Sequence, residues 1–406
     1  MISGVATEVL LASAALALYA YAGYPLLLWL IGLRRPALRR HPAPADWPAI
    51  TVVIPVYNGA DVIRATIDAV LALDYPVERR QVMVVSDAST DGTDALVAAY
   101  VARGVELVRL ERRVGKTAAE NAALGRSRGE IVVNTDAAIR LHPQAAKELV
   151  LALADPSVGA ASGRDVSVGT AETNATLSES SYVGYEMWVR ELETRLGGIV
   201  GASGSLYAIR RDLQVSLPPT VARDFAAVLV ARERGYRAVS VPRAVCFVPR
   251  GRSLRQEYRR KVRTMTRGLE TLWHKRRLLD PGRDGVFAWM LFSHKLCRWL
   301  VPWAGLTALG ATVLLASGTS WAQWLLAGWA IGAGLALVGW WWPEDGAAPH
   351  VLAAPAYLAG AQVAALHAWW NVLRRTAAPT WEPTQRPGAR GGAASSSFEP
   401  RPERKA

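Results

Sequence analysis

TVVIPVYN, Thr51 to Asn58, and VMVVSDASTDGT, Val82 to Thr93, each carry a β-branched apolar run that closes on turn-forming residues, with an amphipathic segment between them. Runs of this kind suit buried strands, and the helical periodicity of the intervening segment makes the unit strand–helix–strand. The alternation continues to about Val248. Strands are expected at Thr51 to Val56, Gln81 to Ser86, Val105 to Leu110 and Ile131 to Thr135, and helices at Ala60 to Leu73, Asp91 to Arg103 and Thr117 to Ser127. An α/β domain follows from that pattern. Several residues capable of chemistry, Asp87 and Asp136 among them, fall just past strand ends. That edge of an open parallel sheet is where ligands bind.

Outward from this region the chain changes character. Residues 5 to 33 hold a single charge, Glu8, and about 20 apolar residues are enough to cross about 30 Å of hydrocarbon. Residues 1–35 are therefore expected to form a spanning helix. Its apolar run is too long for a cleaved leader, and no small-residue cleavage pattern follows it. Arg34, Arg35, Arg39 and Arg40 come next, which places the following domain in the cytoplasm by the positive-inside tendency. The Pro-rich stretch 36–49 reads as a linker to a domain at 50–249.

Residues 250 to 277 carry eleven Arg or Lys against Glu257 and Glu270. They lead into Val286 to Leu300, interrupted by His294, Lys295 and Arg298, so 250–300 reads as basic helices lying in the membrane surface. Within 301–373, spans are expected at Val301 to Ser317, Trp321 to Trp342 and Val351 to Leu373. Residues 374–406, dominated by Pro, Arg, Ser and Gly, read as a disordered tail. Three crossings after a cytoplasmic domain leave the Arg-rich tail outside, against the positive-inside tendency, so the number of spans stays open.

Sixteen Trp, most of them outside residues 50 to 250, gather beside the apolar runs as interfacial Trp does. The net charge of +13 suits nucleic acid, an anionic membrane surface or a polyphosphate ligand. No DNA- or RNA-binding module accompanies the basic segment, which lies beside apolar runs, so no nucleic-acid partner is expected. Cys246 and Cys297 are the only cysteines, with no CxxC and no His at ligand spacing, which argues against a disulfide framework and a zinc site.

The paired stretches TVVIPVYN and SDASTDGT resemble the start of a family 2 glycosyltransferase, and further motifs follow in that family's order. The resemblance implies that Pro55 and Tyr57 let the backbone approach a flat base, and that Asp87 accepts hydrogen bonds from base or ribose. Asp91, ahead of a helix, suits capping. RRVGKTAAENAAL, Arg112 to Leu124, is similar to the family's Gly-Lys helix start, with Lys116 near the donor phosphates. It is not a P-loop, because Leu110 stands where that motif needs Gly. IVVNTDAAIRL, Ile131 to Leu141, occupies the place of the DxD element: Asp136 is present, but Ala138 replaces the second acid. Asp136 would share Mg²⁺ or Mn²⁺ with phosphate oxygens and water, since a hard cation tolerates one protein carboxylate there.

GASGSLYAIRR, Gly201 to Arg211, resembles the small-residue loop near the acceptor, with Gly201, Ser203, Gly204 and Ser205 leaving room for a bulky glycan; close chain packing is the plainer alternative, and the functional reading is favoured. TVARDFAAVLVARERGYRAV, Thr220 to Val239, matches the segment that supplies the catalytic acid. Arg223 stands where a second acid is usual, leaving Asp224 as sole carboxylate and general base. A cation beside that base would weaken it, so Arg223 is expected to point to another partner. EYRRKVRTMTRGLETL, Glu257 to Leu272, resembles the QxxRW element as Arg260 to Thr264. There Arg263 would neutralise the departing diphosphate, although Thr264 cannot stack as Trp does. Anchoring to anionic lipid is the plainer duty of the other basic residues here.

The resemblance implies a Rossmann-like GT-A catalytic domain flanked by transmembrane helices in the inner (plasma) membrane, of the processive polysaccharide synthase type. It implies inverting transfer from a nucleoside diphosphate sugar, uridine-linked, to a growing glycan or lipid-linked acceptor, with export of polymer and other envelope polysaccharide assembly proteins as partners. The alternative is a non-catalytic scaffold that binds nucleotide sugar in an envelope glycan assembly complex. Retention of Asp87, Asp136 and Asp224 argues against it.

Overall fold

The computed structural model describes residues 2–35, 41–168, 174–249, 253–343, 348–376 and 380. Most of the expected tail, and residues 36–40 of the linker with Arg39 and Arg40, lie outside the described residues. Among the described residues eight strands form one sheet: β1 Ile50–Val56, β2 Arg80–Ser86, β3 Val105–Arg109, β4 Ile131–Thr135, β5 Arg140–Leu141, β6 Val158–Val168, β7 Leu206–Arg210 and β8 Arg237–Pro249. Their order is β3-β2-β1-β4-β7-β6-β8-β5. The first four run parallel, with Val52 opposite Val82 and Ile50 opposite Ile131. β7 enters antiparallel to both β4 and β6, and β6 pairs parallel with β8.

Both faces of β1 are covered, which is why its residues are apolar without alternation. Val52, Ile54, Val82 and Val84 pack with Ile63, Ile67 and Val70 on one side. Val53, Met83 and Val85 pack with Ala119 and Ala123 on the other. Neighbouring residues of a strand point to opposite faces, so one apolar run feeds two cores. The order turns back at β1, which lies between β2 and β4. The carboxyl ends of these strands therefore open a crevice where Tyr57, Asp87 and Asp136 emerge from adjacent positions.

The helices between strands are shorter than expected: Ile63–Leu71, Thr93–Ala98 and Lys116–Ala123, the last two followed by 3₁₀ turns at Val101–Arg103 and Leu124–Arg126. Among the described residues four helical runs are long and apolar enough to cross a membrane: Ser3–Gly32, Val286–Ala316, Ser320–Trp340 and His350–Leu373. Large apolar side chains such as Trp324, Ile331 and Leu358 remain exposed on them, as lipid-facing residues do. Val286–Ala316 is one run of 31 residues, so the boundary expected at residue 300 falls within it. His294 and Arg298 interrupt its apolar pattern but are buried, 2% and 8% exposed. Their partners are Glu186 and Glu193 on the helix Asn174–Leu196. Charge pairing across the fold, invisible to a reading of this segment alone, keeps the helix continuous.

Candidate active site

The crevice is laced together before any functional group is placed. Asn58, in the left-handed region at φ 47°, donates its backbone N–H to Ser89 Oγ at 3.1 Å, and its side-chain oxygen accepts from the Thr90 N–H at 2.8 Å. The ends of β1 and β2 are thus tied to each other. Pro55 is buried within β1, and the Arg113 guanidinium stacks 3.9 Å from the centre of the Tyr57 ring. Asp91 accepts from the Ala60 N–H at 2.9 Å and the Thr93 N–H at 3.1 Å. Burial pushes its pKa up, but a hydrogen bond from the Thr93 hydroxyl, followed by these backbone bonds, outweighs burial and holds it below the ordinary carboxylate value. Asp91 ties the turn after β1 to the first residue of the helix Thr93–Ala98, whose N-cap is Gly92.

Asp87 is fully buried. Its carboxylate oxygens accept the backbone N–H groups of Val114 at 2.7 Å and Gly115 at 2.9 Å. These bonds fix the turn that delivers Lys116, and Gly115 makes that turn at φ 96°, which L side chains rarely adopt. Lys116 opens the helix Lys116–Ala123 and forms an ion pair with Asp136, just past β4. Burial pulls the Lys116 pKa down, but Asp136, Glu120 and Asp224 outweigh it and raise it above the usual lysine value. The Asp136 side chain remains 36% exposed.

Asp224 lies in the first turn of the helix Arg223–Glu233, where its Oδ1 accepts from the Phe225 N–H at 2.9 Å. Arg223 turns the other way. It donates to Val215 O at 3.2 Å and to Asn121 Oδ1, and its Nε lies 3.6 Å from Glu120 Oε2. Its cation is thereby spent inside the domain rather than on the Asp224 carboxylate.

The small-residue loop faces Asp224 directly. A Cβ placed on Gly204 would stand 2.8 Å from Asp224 Oδ2. Thr135 Oγ1 donates to Ser205 O at 2.9 Å, while Ser203 and Ser205 donate their hydroxyls to the two oxygens of Asp165 at 2.7 and 3.1 Å. Gly204→Ala is expected to leave the unfolding temperature nearly unchanged, because only the movable end of a side chain must give way. Displacing that carboxylate should still cut any transfer rate by about 10²-fold, the cost of a misplacement near 1 Å. Rate and thermal unfolding of one preparation check it; a rate within about threefold of wild type would refute it.

Arg263 is half-buried on the helix Leu254–His274. Arg267, one turn later, makes the contacts with the site's own elements. It donates to Thr117 Oγ1 at 2.6 Å and to the carbonyls of Pro219 and Val221 at 3.0 and 3.1 Å. Burial lowers its pKa, opposed by Glu120 and Asp224. The fold thus brings Lys116, Asp136 and Asp224 within electrostatic reach and adds Glu120, Asp165 and Arg267, which the sequence reading missed. Spacing of four places Glu120 on the face of Lys116, and Arg267 on that of Arg263; nothing local marks Asp165.

Among the described residues no three His, Cys, Asp or Glu gather as a metal site. Asp136 nonetheless offers one accessible carboxylate beside Lys116, a donor set that suits a divalent cation completed by phosphate oxygens and water.

Residues 51–214 match the model of the family described as "Glycosyl transferase family 2". An N-acetylglucosaminyltransferase of Mesorhizobium japonicum is 30% identical over 244 residues, 54% of this chain and 56% of that protein. Another, of Bradyrhizobium diazoefficiens, is 26% identical over 298 residues, 68% of this chain and 59% of that protein. The chain thus spans less than two thirds of these relatives' length. Among solved structures, a mannosyltransferase from Pyrobaculum calidifontis in complex with GDP-Man and Mn²⁺ superposes with a TM-score of 0.70 at 28% identity, covering 90% of this chain and 99% of that one. The family match runs through β1, β2 and β4 and the small-residue loop that make the crevice: residues 51–214 form a family 2 glycosyltransferase domain on a GT-A fold, in a chain with four helices among the described residues apolar enough to span a membrane.

Proposed function

We propose that this chain catalyses inverting transfer of a sugar from a nucleoside diphosphate sugar, uridine-linked by preference, to a glycan or lipid-linked acceptor at the cytoplasmic face of the plasma membrane. The observation that carries the proposal is the Asp224 carboxylate set against Gly204, with Lys116 paired to Asp136 and within electrostatic reach of Asp224. Arg34 and Arg35, directly after the first apolar helix, support the cytoplasmic placement. Relatives named N-acetylglucosaminyltransferase, and the mannosyltransferase solved with GDP-Man, support a nucleotide-sugar donor.

In this reading the acceptor hydroxyl lies between the small-residue loop and Asp224. The Asp224 carboxylate takes its proton as the oxygen attacks the anomeric carbon from the face opposite the diphosphate. The bond from that carbon to the diphosphate oxygen breaks, and its electron pair leaves with the nucleoside diphosphate. Lys116 and Arg263 neutralise the charge that builds on the leaving group. Asp87 holds the turn of Val114 and Gly115 at the base and ribose side, beside Pro55 and Tyr57. A divalent cation, Mg²⁺ or Mn²⁺, bound by Asp136 and the donor phosphates, would supply further charge neutralisation there.

The test is release of free nucleoside diphosphate from UDP-N-acetylglucosamine and from GDP-mannose by membranes containing the chain, with Mg²⁺, with Mn²⁺ and with EDTA. Turnover of one donor that EDTA abolishes is the expected outcome. No turnover with either donor or metal, beside retained nucleotide binding, would favour the scaffold instead.

A further inference from the structure

Where the helix Asn174–Leu196 meets the N-terminal helix and the run Val286–Ala316, six ionisable side chains lie close together. Four of them satisfy one another. Arg298 pairs with Glu186; His294 sets Nε2 3.0 Å from Glu186 Oε2 and Nδ1 2.6 Å from Glu193 Oε1. The Tyr24 hydroxyl also donates to Glu193 Oε1 at 2.6 Å. The two carboxylates are thereby committed.

Arg190 and Lys295, the other two, make no ion pair or hydrogen bond with these carboxylates among the described residues, although Glu186 and Glu193 lie within electrostatic reach of Lys295. Arg190 is 9% exposed, and among the described residues its Nε and Nη1 have no hydrogen-bond partner. Lys295 lies within electrostatic reach of Glu186, Arg190, Glu193 and Arg298, two cations against the two carboxylates already paired with Arg298 and His294. Its ammonium stands 5.7 Å from the centre of the Phe225 ring and would be 3.2 Å from a Cβ on Gly201. A guanidinium withdrawn from water without acceptors carries a desolvation cost that an entering anion would relieve.

Position indicates which anion. Gly201 begins the small-residue loop, and Phe225 follows Asp224, so the cations border the acceptor side of the candidate active site. Lys295 belongs to an apolar helix long enough to cross a membrane, and Arg190 to a helix bearing the exposed Trp188. We propose that Arg190 and Lys295 bind the phosphate group of a membrane-anchored lipid acceptor, with the lipid chain along the apolar helices and the group to be glycosylated carried toward Asp224. An Arg fork beside a Lys point charge suits phosphate oxygens, and the neighbouring apolar helices suit a lipid chain rather than free phosphate. The inference rests on the transferase reading above and names the acceptor class for it.

The test uses the full chain in phosphatidylcholine nanodiscs, followed by tryptophan fluorescence during titration with dodecyl phosphate, neutral dodecyl maltoside or inorganic phosphate. UDP and GDP are titrated into the same preparation. Dodecyl phosphate should give a saturable change that the neutral lipid does not, with inorganic phosphate at least about tenfold weaker. Arg190→Gln and Lys295→Gln should each weaken dodecyl phosphate by about tenfold or more and leave nucleotide affinity unchanged. Lys295→Gln, on a different helix, serves if Arg190→Gln does not fold. Dodecyl phosphate behaving like the neutral lipid, inorganic phosphate binding equally well, or both variants titrating as wild type would each overturn the inference. Nucleotide binding without dodecyl phosphate binding overturns it alone. Dodecyl phosphate binding without either nucleotide sinks the donor reading and leaves this site standing.

Discussion

Asp224→Asn should lower sugar transfer by about 10²-fold or more while donor affinity and unfolding temperature stay close to wild type. The substitution keeps shape and the one hydrogen bond described for this side chain, since an amide oxygen can accept from the Phe225 N–H as the carboxylate does. What disappears is the capacity to take a proton from the acceptor hydroxyl. Arg223 makes the prediction sharper: its guanidinium is turned to Asn121, Val215 and Glu120 rather than to the Asp224 carboxylate that faces the small-residue loop. Initial rates under saturating donor, with nucleotide titration and calorimetry on one preparation, separate loss of the base from loss of the fold. A rate within about threefold of wild type would exclude Asp224 as the base.

Arg223→Ala should destabilise the domain by about 3–5 kcal/mol, the cost of breaking a buried ion pair from one side. Both partners are withdrawn from water, with side-chain exposures of 5% and 2%. Burial already raises the Glu120 pKa, and Lys116 and Arg223 pull it back; without Arg223 it rises further. A carboxyl whose folded pKa exceeds its unfolded one destabilises the fold fully above the folded value, and that penalty fades as pH falls toward the unfolded value. The variant's deficit should therefore be largest at neutral pH and shrink on acidification. Adding Glu120→Gln removes the stranded charge and should recover much of the loss. Thermal unfolding of the single and double variants at two pH values decides the matter; an additive double variant would show that the pair is not coupled.

The strands were readable because burial on both faces demands continuous apolar runs. β4 has the bounds expected from its run, and β1 and β2 begin one residue earlier than expected. The ends of these strands mark where Tyr57, Asp87 and Asp136 stand, so the crevice was legible before any coordinate. Asp87 shows the limit: its place past β2 followed from the pattern, but the backbone amides its oxygens hold belong to a turn 27 and 28 residues away. The membrane boundary shows it too. Val286–Ala316 looked divided because His294, Lys295 and Arg298 break its apolar run, and the carboxylates that make His294 and Arg298 tolerable sit about a hundred residues earlier.

Local spacing alone thus determined the α/β class, the strand ends, the apolar helices and the family motifs, since hydrophobic periodicity and turn chemistry act over a few residues. Only the tertiary structure decided that Arg223 serves Glu120 and Asn121, that Asp165 holds the small-residue loop, that Arg267 reaches Thr117, and that Arg190 Nε and Nη1 lack a hydrogen-bond partner among the described residues. Each depends on which distant charges the strand order and helix packing bring together, and Coulombic and hydrogen-bond partners are set by distance in space rather than along the chain.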